Sequence, residues 1–124
     1  MDRSNRLKKS SDFQRVRKTG KAQAHPFFVL IYAPNSSSQT HIGVVASRSL
    51  GNAVKRNRAK RRLRASIQLY LSNLTPGFDI ILIARKPLLN AQFELLSKSL
   101  ENALRAHHLV MDKYDACHSN TSNA

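Results

Sequence analysis

Acidic residues are nearly missing from the first two thirds of this chain. Between Asp12 and Asp79 no Asp or Glu occurs, while the same interval holds twelve Lys or Arg. A domain that uses carboxylates for general acid–base work or to hold a pair of metal ions has nothing to use across that interval. Cysteine is reduced to Cys117, so no intrachain disulfide forms and a Cys-based zinc site has too few ligands. The five histidines (25, 41, 107, 108 and 118) form no metal-ligand spacing with Cys117. Tryptophan is absent. No Gly-rich phosphate loop or dinucleotide fingerprint appears, which argues against a small-molecule substrate or a nucleotide cofactor. The longest apolar runs, Phe27–Ala33 and Ile80–Ala84, are too short to span a bilayer. The N-terminus lacks the apolar core of a signal peptide. The expectation is a cytoplasmic protein with no membrane partner.

What is present is positive charge. The 124 residues carry 21 Lys+Arg against 7 Asp+Glu, a net of +14, and the pI is near 11.0. Self-repulsion of that size destabilises a compact domain unless a polyanion compensates it. Hydrophobic residues make up 41%, enough for one folded domain with a single core. The expected division is a basic arm over residues 1–9, a folded domain over 10–110 and a disordered polar tail over 111–124.

Periodicity and punctuation order the domain. Ser10 or Ser11 is positioned to cap a short helix reaching Lys18, with Phe13 and Val16 on one face and Gly20 at its end. Phe27–Ala33 and Thr40–Ser47 read as strands. A loop through Gly51-Asn52 leads to the longest helix, about Ala53 to Leu71. Thr75-Pro76-Gly77 stops that unit. Phe78–Ala84 is apolar on both faces and is expected at the centre of the sheet. A last helix runs from about Asn90 to His107, with Leu95, Leu96, Ser99, Leu100, Ala103 and Leu104 on its apolar side. The order α-β-β-(β)-α-β-α implies an α+β fold, a small α/β sandwich with helices packed on a sheet.

The long helix carries the chemistry. Seven of the ten residues Lys55–Arg64 are cationic, five of them Arg. At 100° per residue, Leu63, Ile67, Tyr70 and Leu74 fall within about 60° and face the core. Lys55, Arg58, Arg61 and Arg62 span about 120° on the opposite side, flanked by Asn57 and Arg64. Arg56 and Lys60 lie nearer the apolar stripe. Cations at a helix N-terminus oppose the macrodipole, and like charges at i, i+3 and i+4 repel. A phosphate backbone relieves both costs, and arginine suits bidentate phosphate contact. No helix precedes this one at helix-turn-helix spacing, so structured RNA is favoured over duplex DNA.

The segment Gly51-Asn52-Ala53-Val54-Lys55-Arg56-Asn57-Arg58-Ala59-Lys60-Arg61 resembles the signature of the bacterial ribonuclease P protein family. The likeness extends to Asn5-Arg6-Leu7-Lys8-Lys9 with Asp12-Phe13, to Gly20, to Phe28–Ile31 and to Ile81–Pro87, and so covers about residues 5–108. The resemblance implies a ribosomal-protein-like domain with a left-handed βαβ crossover, against the usual handedness. It implies two partners, the catalytic RNA of ribonuclease P and precursor tRNA, whose 5′ leader is removed. The chemistry belongs to the RNA and its Mg²⁺, with no cofactor held by the protein. The RNA-contacting set is then Arg48, Lys55, Arg56, Asn57, Arg58, Lys60, Arg61, Arg62 and Arg64. A cleft between the first helix and the sheet, lined by Phe13, Arg17, Val29 and Ile31, is expected to take the leader. Arg17 departs from the family, which often has an aromatic there; a guanidinium substitutes charge for part of the stacking. The competing expectation is a structural RNA-binding protein of ribosomal type, which the basic helix alone fits equally well.

Overall fold

The computed structural model describes residues 5–111. Arg3 of the basic arm, and Cys117 and His118 of the tail, lie outside the described residues. In chain order the elements are α1 (Ser10–Thr19), β1 (Lys21–Ala24), β2 (Phe28–Pro34), β3 (His41–Val45), α2 (Ala53–Gln68), β4 (Phe78–Ala84) and α3 (Phe93–Ala106). Short 3-10 turns at Arg48–Leu50, Leu71–Asn73 and Lys86–Asn90 connect them. The four strands form one sheet in the order β1-β2-β4-β3. β1 and β4 each pair antiparallel with β2, whereas β3 pairs parallel with β4. Because β3 and β4 are parallel neighbours, α2 is the crossover of a βαβ unit.

Alternation along the strands divides the core into two layers. Phe28, Leu30, Ile42, Ile80, Leu82 and Ala84 point to one face, where Ala59, Leu63 and Ile67 of α2 and Leu96, Leu100, Ala103 and Leu104 of α3 cover them. Ile31, Ala33 and Ile81 point to the other face and pack with Leu7 and Val16. β4 is thus central and buried from both sides, as its continuous apolar run requires. The folded unit is an α/β sandwich of three helices and a four-stranded mixed sheet.

Four local expectations need correction. Lys21–Ala24 forms an edge strand that the hydrophobic pattern did not reveal, because every one of its residues is exposed and none contributes a side chain to the core. α1 starts one residue earlier than a serine cap would allow. Lys9 is the N-cap, without a side-chain capping bond. Leu7 is buried and its N–H donates to the Ile42 carbonyl at 2.9 Å, so the chain enters the helix already tied to the sheet. α3 begins at Phe93 rather than Asn90, since the buried Leu88 draws Lys86–Asn90 into a 3-10 turn. Leu95 then faces solvent, 56% exposed, and Ser97 takes a buried position instead.

An acidic residue fastens α1. Asp79, on β4 and 3% exposed, accepts hydrogen bonds from Arg15 of α1 and from Asn35 Nδ2 at 2.8 Å, and lies 3.1 Å from His41 Nδ1. Arg15 also donates to the Pro34 carbonyl at 3.1 Å. A buried carboxylate is tolerated only with such partners. Here they join the helix, the loop after β2 and the start of β3.

Candidate nucleic-acid interface

Local chemistry at Gly51-Asn52 launches the basic helix. Gly51 adopts φ 124°, a backbone conformation that side chains disfavour. Asn52 is the N-cap, its side-chain oxygen accepting from the Lys55 N–H at 3.0 Å. Leu63 and Ile67 are fully buried under α2, which orients its opposite side outward. Lys55, Asn57, Arg58 and Arg61 are exposed, whereas Arg56, Lys60, Arg62 and Arg64 are half-buried. None of the seven cations of Lys55–Arg64 pairs with a carboxylate among the described residues; the ion pairs there join Arg15 to Asp12 and Asp79, His41 to Asp79, and Arg105 to Glu101. The positive field of this helix is therefore uncompensated within the described fold.

Arg62 corrects the helical-wheel expectation. Its guanidinium donates to the Ala91 carbonyl, in the turn leading to α3. It is held against the protein rather than presented freely with Arg58 and Arg61. An isolated helix projection could not include that turn.

The α1 side of the sheet forms a second surface. Directly paired strand residues share a face. One row across the sheet is Ala24, Val29, Ile83 and Val45; the next is Ala22, Ile31, Ile81 and Gly43; the third contains Ala33, Asp79 and His41. α1 covers the second and third rows. Ile31 and Ile81 are 8% and 0% exposed, while Val29, Ile83 and Val45 remain half-open. The result is an apolar strip beside α1, made by the half-buried Val29, Ile83 and Val45, at the place expected for a cleft. Phe13 sits half-buried over Gly43, at the boundary between helix and sheet. Arg17, one turn further along α1, is exposed. Ile31 lies beneath the helix and supports the strip from below. Ile83 and Val45 were not expected there; the alternation that placed Val29 and Ile31 on one face applies to them too, once the strand pairing is known.

The two surfaces meet at one edge. Val45 ends β3, and Arg48 follows it by three residues, hence within about 10 Å of chain. Arg48 is exposed in the 3-10 turn that leads to Gly51 and the start of α2. The open end of the apolar row therefore adjoins the cationic beginning of the helix. Among the described residues, no group of three or more His, Cys, Asp or Glu gathers as a metal site, and no helix is long and apolar enough to cross a membrane.

Known proteins share this fold. The family model for ribonuclease P matches residues 1–108. The ribonuclease P protein component of Herpetosiphon aurantiacus is 37% identical over 113 residues, covering 91% of this chain and 92% of that protein. The Caldanaerobacter subterraneus counterpart is 38% identical over 108 residues, covering 87% and 93%. Among solved structures, the ribonuclease P protein of Staphylococcus aureus superposes with a TM-score of 0.76 at 34% identity, covering 86% of this chain and 97% of that one. That of Thermotoga maritima gives 0.73 at 30%, covering 82% and 96%.

Proposed function

This chain belongs to the ribonuclease P protein family, and we propose that it docks on the catalytic RNA through the cationic start of α2 while holding the 5′ leader of precursor tRNA beside α1. It is the protein subunit of an RNA-processing endoribonuclease. Family membership favours this role over that of a structural protein of ribosomal type.

The observation that carries the proposal is a juxtaposition. A cationic helix with no carboxylate partner among the described residues and a half-open apolar strip meet at one sheet edge, so one protein can touch a folded RNA and a single strand together. Folded RNA concentrates phosphate charge and repels an incoming RNA substrate. Lys55, Arg56, Arg58, Lys60, Arg61 and Arg64, with Asn57 and the nearby Arg48, would neutralise part of that field. Val29 and Phe13 would hold the leader by apolar contact and limited stacking, with Arg17 against its backbone. Such contacts do not read base edges, so leader sequence should matter little.

The reaction's Mg²⁺ is assigned to the RNA. α2 offers no carboxylate, and the buried Asp79 is occupied by Arg15, Asn35 and His41. Hydrolysis of the phosphodiester is assigned, as part of this proposal, to the RNA and its ions, with the protein positioning substrate. The proposal places the complex in the cytoplasm.

The decisive experiment is reconstitution. Added to ribonuclease P RNA at low Mg²⁺, the protein should restore leader removal and tighten binding of precursor tRNA more than of mature tRNA. Equal tightening of both would remove the leader-cleft assignment. No restoration of cleavage would refute the proposed function.

A further inference from the structure

On the other face of the sheet from the leader cleft, a notch of about 190 Å³ opens between α2 and the start of α3. Its walls are Arg61, Arg62, Ala65 and Phe93. Phe93, the first residue of α3, is 40% exposed, the most exposed aromatic side chain among the large hydrophobics of the described residues. An aromatic ring this open is not explained by core packing; the buried residues of α3 begin at Leu96.

The surroundings of the ring narrow its use. Arg62 is tied to the Ala91 carbonyl, so its planar guanidinium is held in place beside the notch. Arg61 is exposed and has no carboxylate partner among the described residues. Ala65 lies one turn after Arg61 on the same side of α2 and leaves space where a longer side chain would fill it. An apolar ring face flanked by two guanidinium groups accepts a flat, electron-rich group by stacking and cation–π contact. A phosphate is a poorer fit, because the surface that lines the notch is mainly apolar. A base inside a duplex cannot reach such a notch, whereas an unstacked base of a loop or bulge can.

We propose that the notch formed by Arg61, Arg62, Ala65 and Phe93 stacks one unpaired base of the RNA to which α2 docks. The inference rests on the RNA-docking role of α2 and adds to it a stacking contact from α3. Arg61 then has two roles, one toward phosphate and one toward the base. The notch would fix the rotational setting of the protein on its RNA, since a cationic face alone tolerates sliding.

The test measures affinity of the full chain for ribonuclease P RNA across a salt series, with Phe93→Ala, Phe93→Leu and Phe93→Trp, and with Arg58→Ala as reference. Phe93→Ala should weaken binding roughly tenfold, within the range for loss of one base–aromatic stack. The slope of log K against log[salt] should not change, because no phosphate contact is lost. Phe93→Leu keeps apolar bulk but loses the ring and should bind nearly as weakly. Phe93→Trp should match or exceed the native chain. Wild-type affinity in Phe93→Ala or in Phe93→Leu would overturn the inference, the latter result pointing to an apolar contact with no stacking. If Phe93→Ala unfolds, the Leu and Trp variants alone decide. Arg58→Ala separates the premises: unchanged binding and slope there would refute docking through α2, whatever Phe93 does.

Discussion

Gly43 should be a socket for Phe13, and replacing it with alanine should cost stability through that ring alone. A Cβ on Gly43 would lie 2.5 Å from both Cε1 and Cζ of Phe13, and 3.4 Å from Cβ of Leu7. Carbon atoms attract best at about 3.5–4.0 Å, so the ring must withdraw by about 1 Å. It cannot move down, because Ile81 beneath it is fully buried. Its available direction is outward, toward Val45 and Ile83 of the open row. Overpacking of this kind typically costs about 1–3 kcal/mol. Alanine itself suits a strand better than glycine, which returns about 0.5–1 kcal/mol. The net expectation for Gly43→Ala is a loss of up to about 2.5 kcal/mol in urea unfolding with an unchanged m-value.

The double-mutant cycle isolates the cause. In a Phe13→Leu background the distal ring atoms are gone, so Gly43→Ala should be neutral or slightly stabilising. The coupling should then reach about 1–3 kcal/mol, as for residues in direct contact. The displaced ring should also narrow the cleft, weakening precursor tRNA binding by the holoenzyme while leaving mature tRNA unaffected. Additive stability effects, within about 0.5 kcal/mol, would refute the socket. A precursor-specific loss without coupling would show that Phe13 acts on the leader without leaning on Gly43.

Two further outcomes follow from the same geometry. Arg58→Ala and Arg61→Ala should each lower the salt slope of RNA binding by about 0.7–0.9, and Arg62→Ala by much less, since that guanidinium is bound to the Ala91 carbonyl; equal slopes for all three would contradict the distinction. The second outcome concerns pH. The pKa of His107 is lowered from 6.5, first by burial and then by the positive charges of Lys21 and His108; that of His25 is lowered by burial and by His107. The neutral His107 ring is fully used, its Nδ1 lying 3.2 Å from the Tyr32 hydroxyl and its Nε2 hydrogen-bonded to Gln23 Oε1. With folded values below the unfolded one, the unfolded chain takes up more protons as pH falls through about 6.5. Stability should therefore be greatest above that pH and decline from about pH 7 toward pH 5, and His107→Gln should flatten the decline in urea unfolding. A native profile already flat over that range would show that the histidine cluster is not coupled to folding.

Features set by the period of a single element could be read from the chain alone. The unbroken apolar run of β4 announced a strand covered on both faces, and Ile80, Ile81 and Leu82 are each fully buried. The 3.6-residue repeat put Leu63 and Ile67 inside and Lys55, Arg58 and Arg61 outside, where they are. Features decided by what lies opposite could not be read. Lys21–Ala24 has no apolar alternation, because β1 contributes main-chain hydrogen bonds and no buried side chain. Asp79 marked only the end of an acid-free interval, yet Arg15, Asn35 and His41 converge on it from three other parts of the chain. Alternation placed Val29 and Ile31 on one face but could not say which would stay open. That was settled by how α1 seats: Leu7 bonds to Ile42, Arg15 reaches Asp79 and Phe13 enters the space over Gly43. Each of these anchors draws the helix toward the rows of Gly43 and Asp79 and away from Val29. The open row is thus a consequence of the anchoring, so loosening any one anchor should let α1 shift over the cleft as well as lower stability.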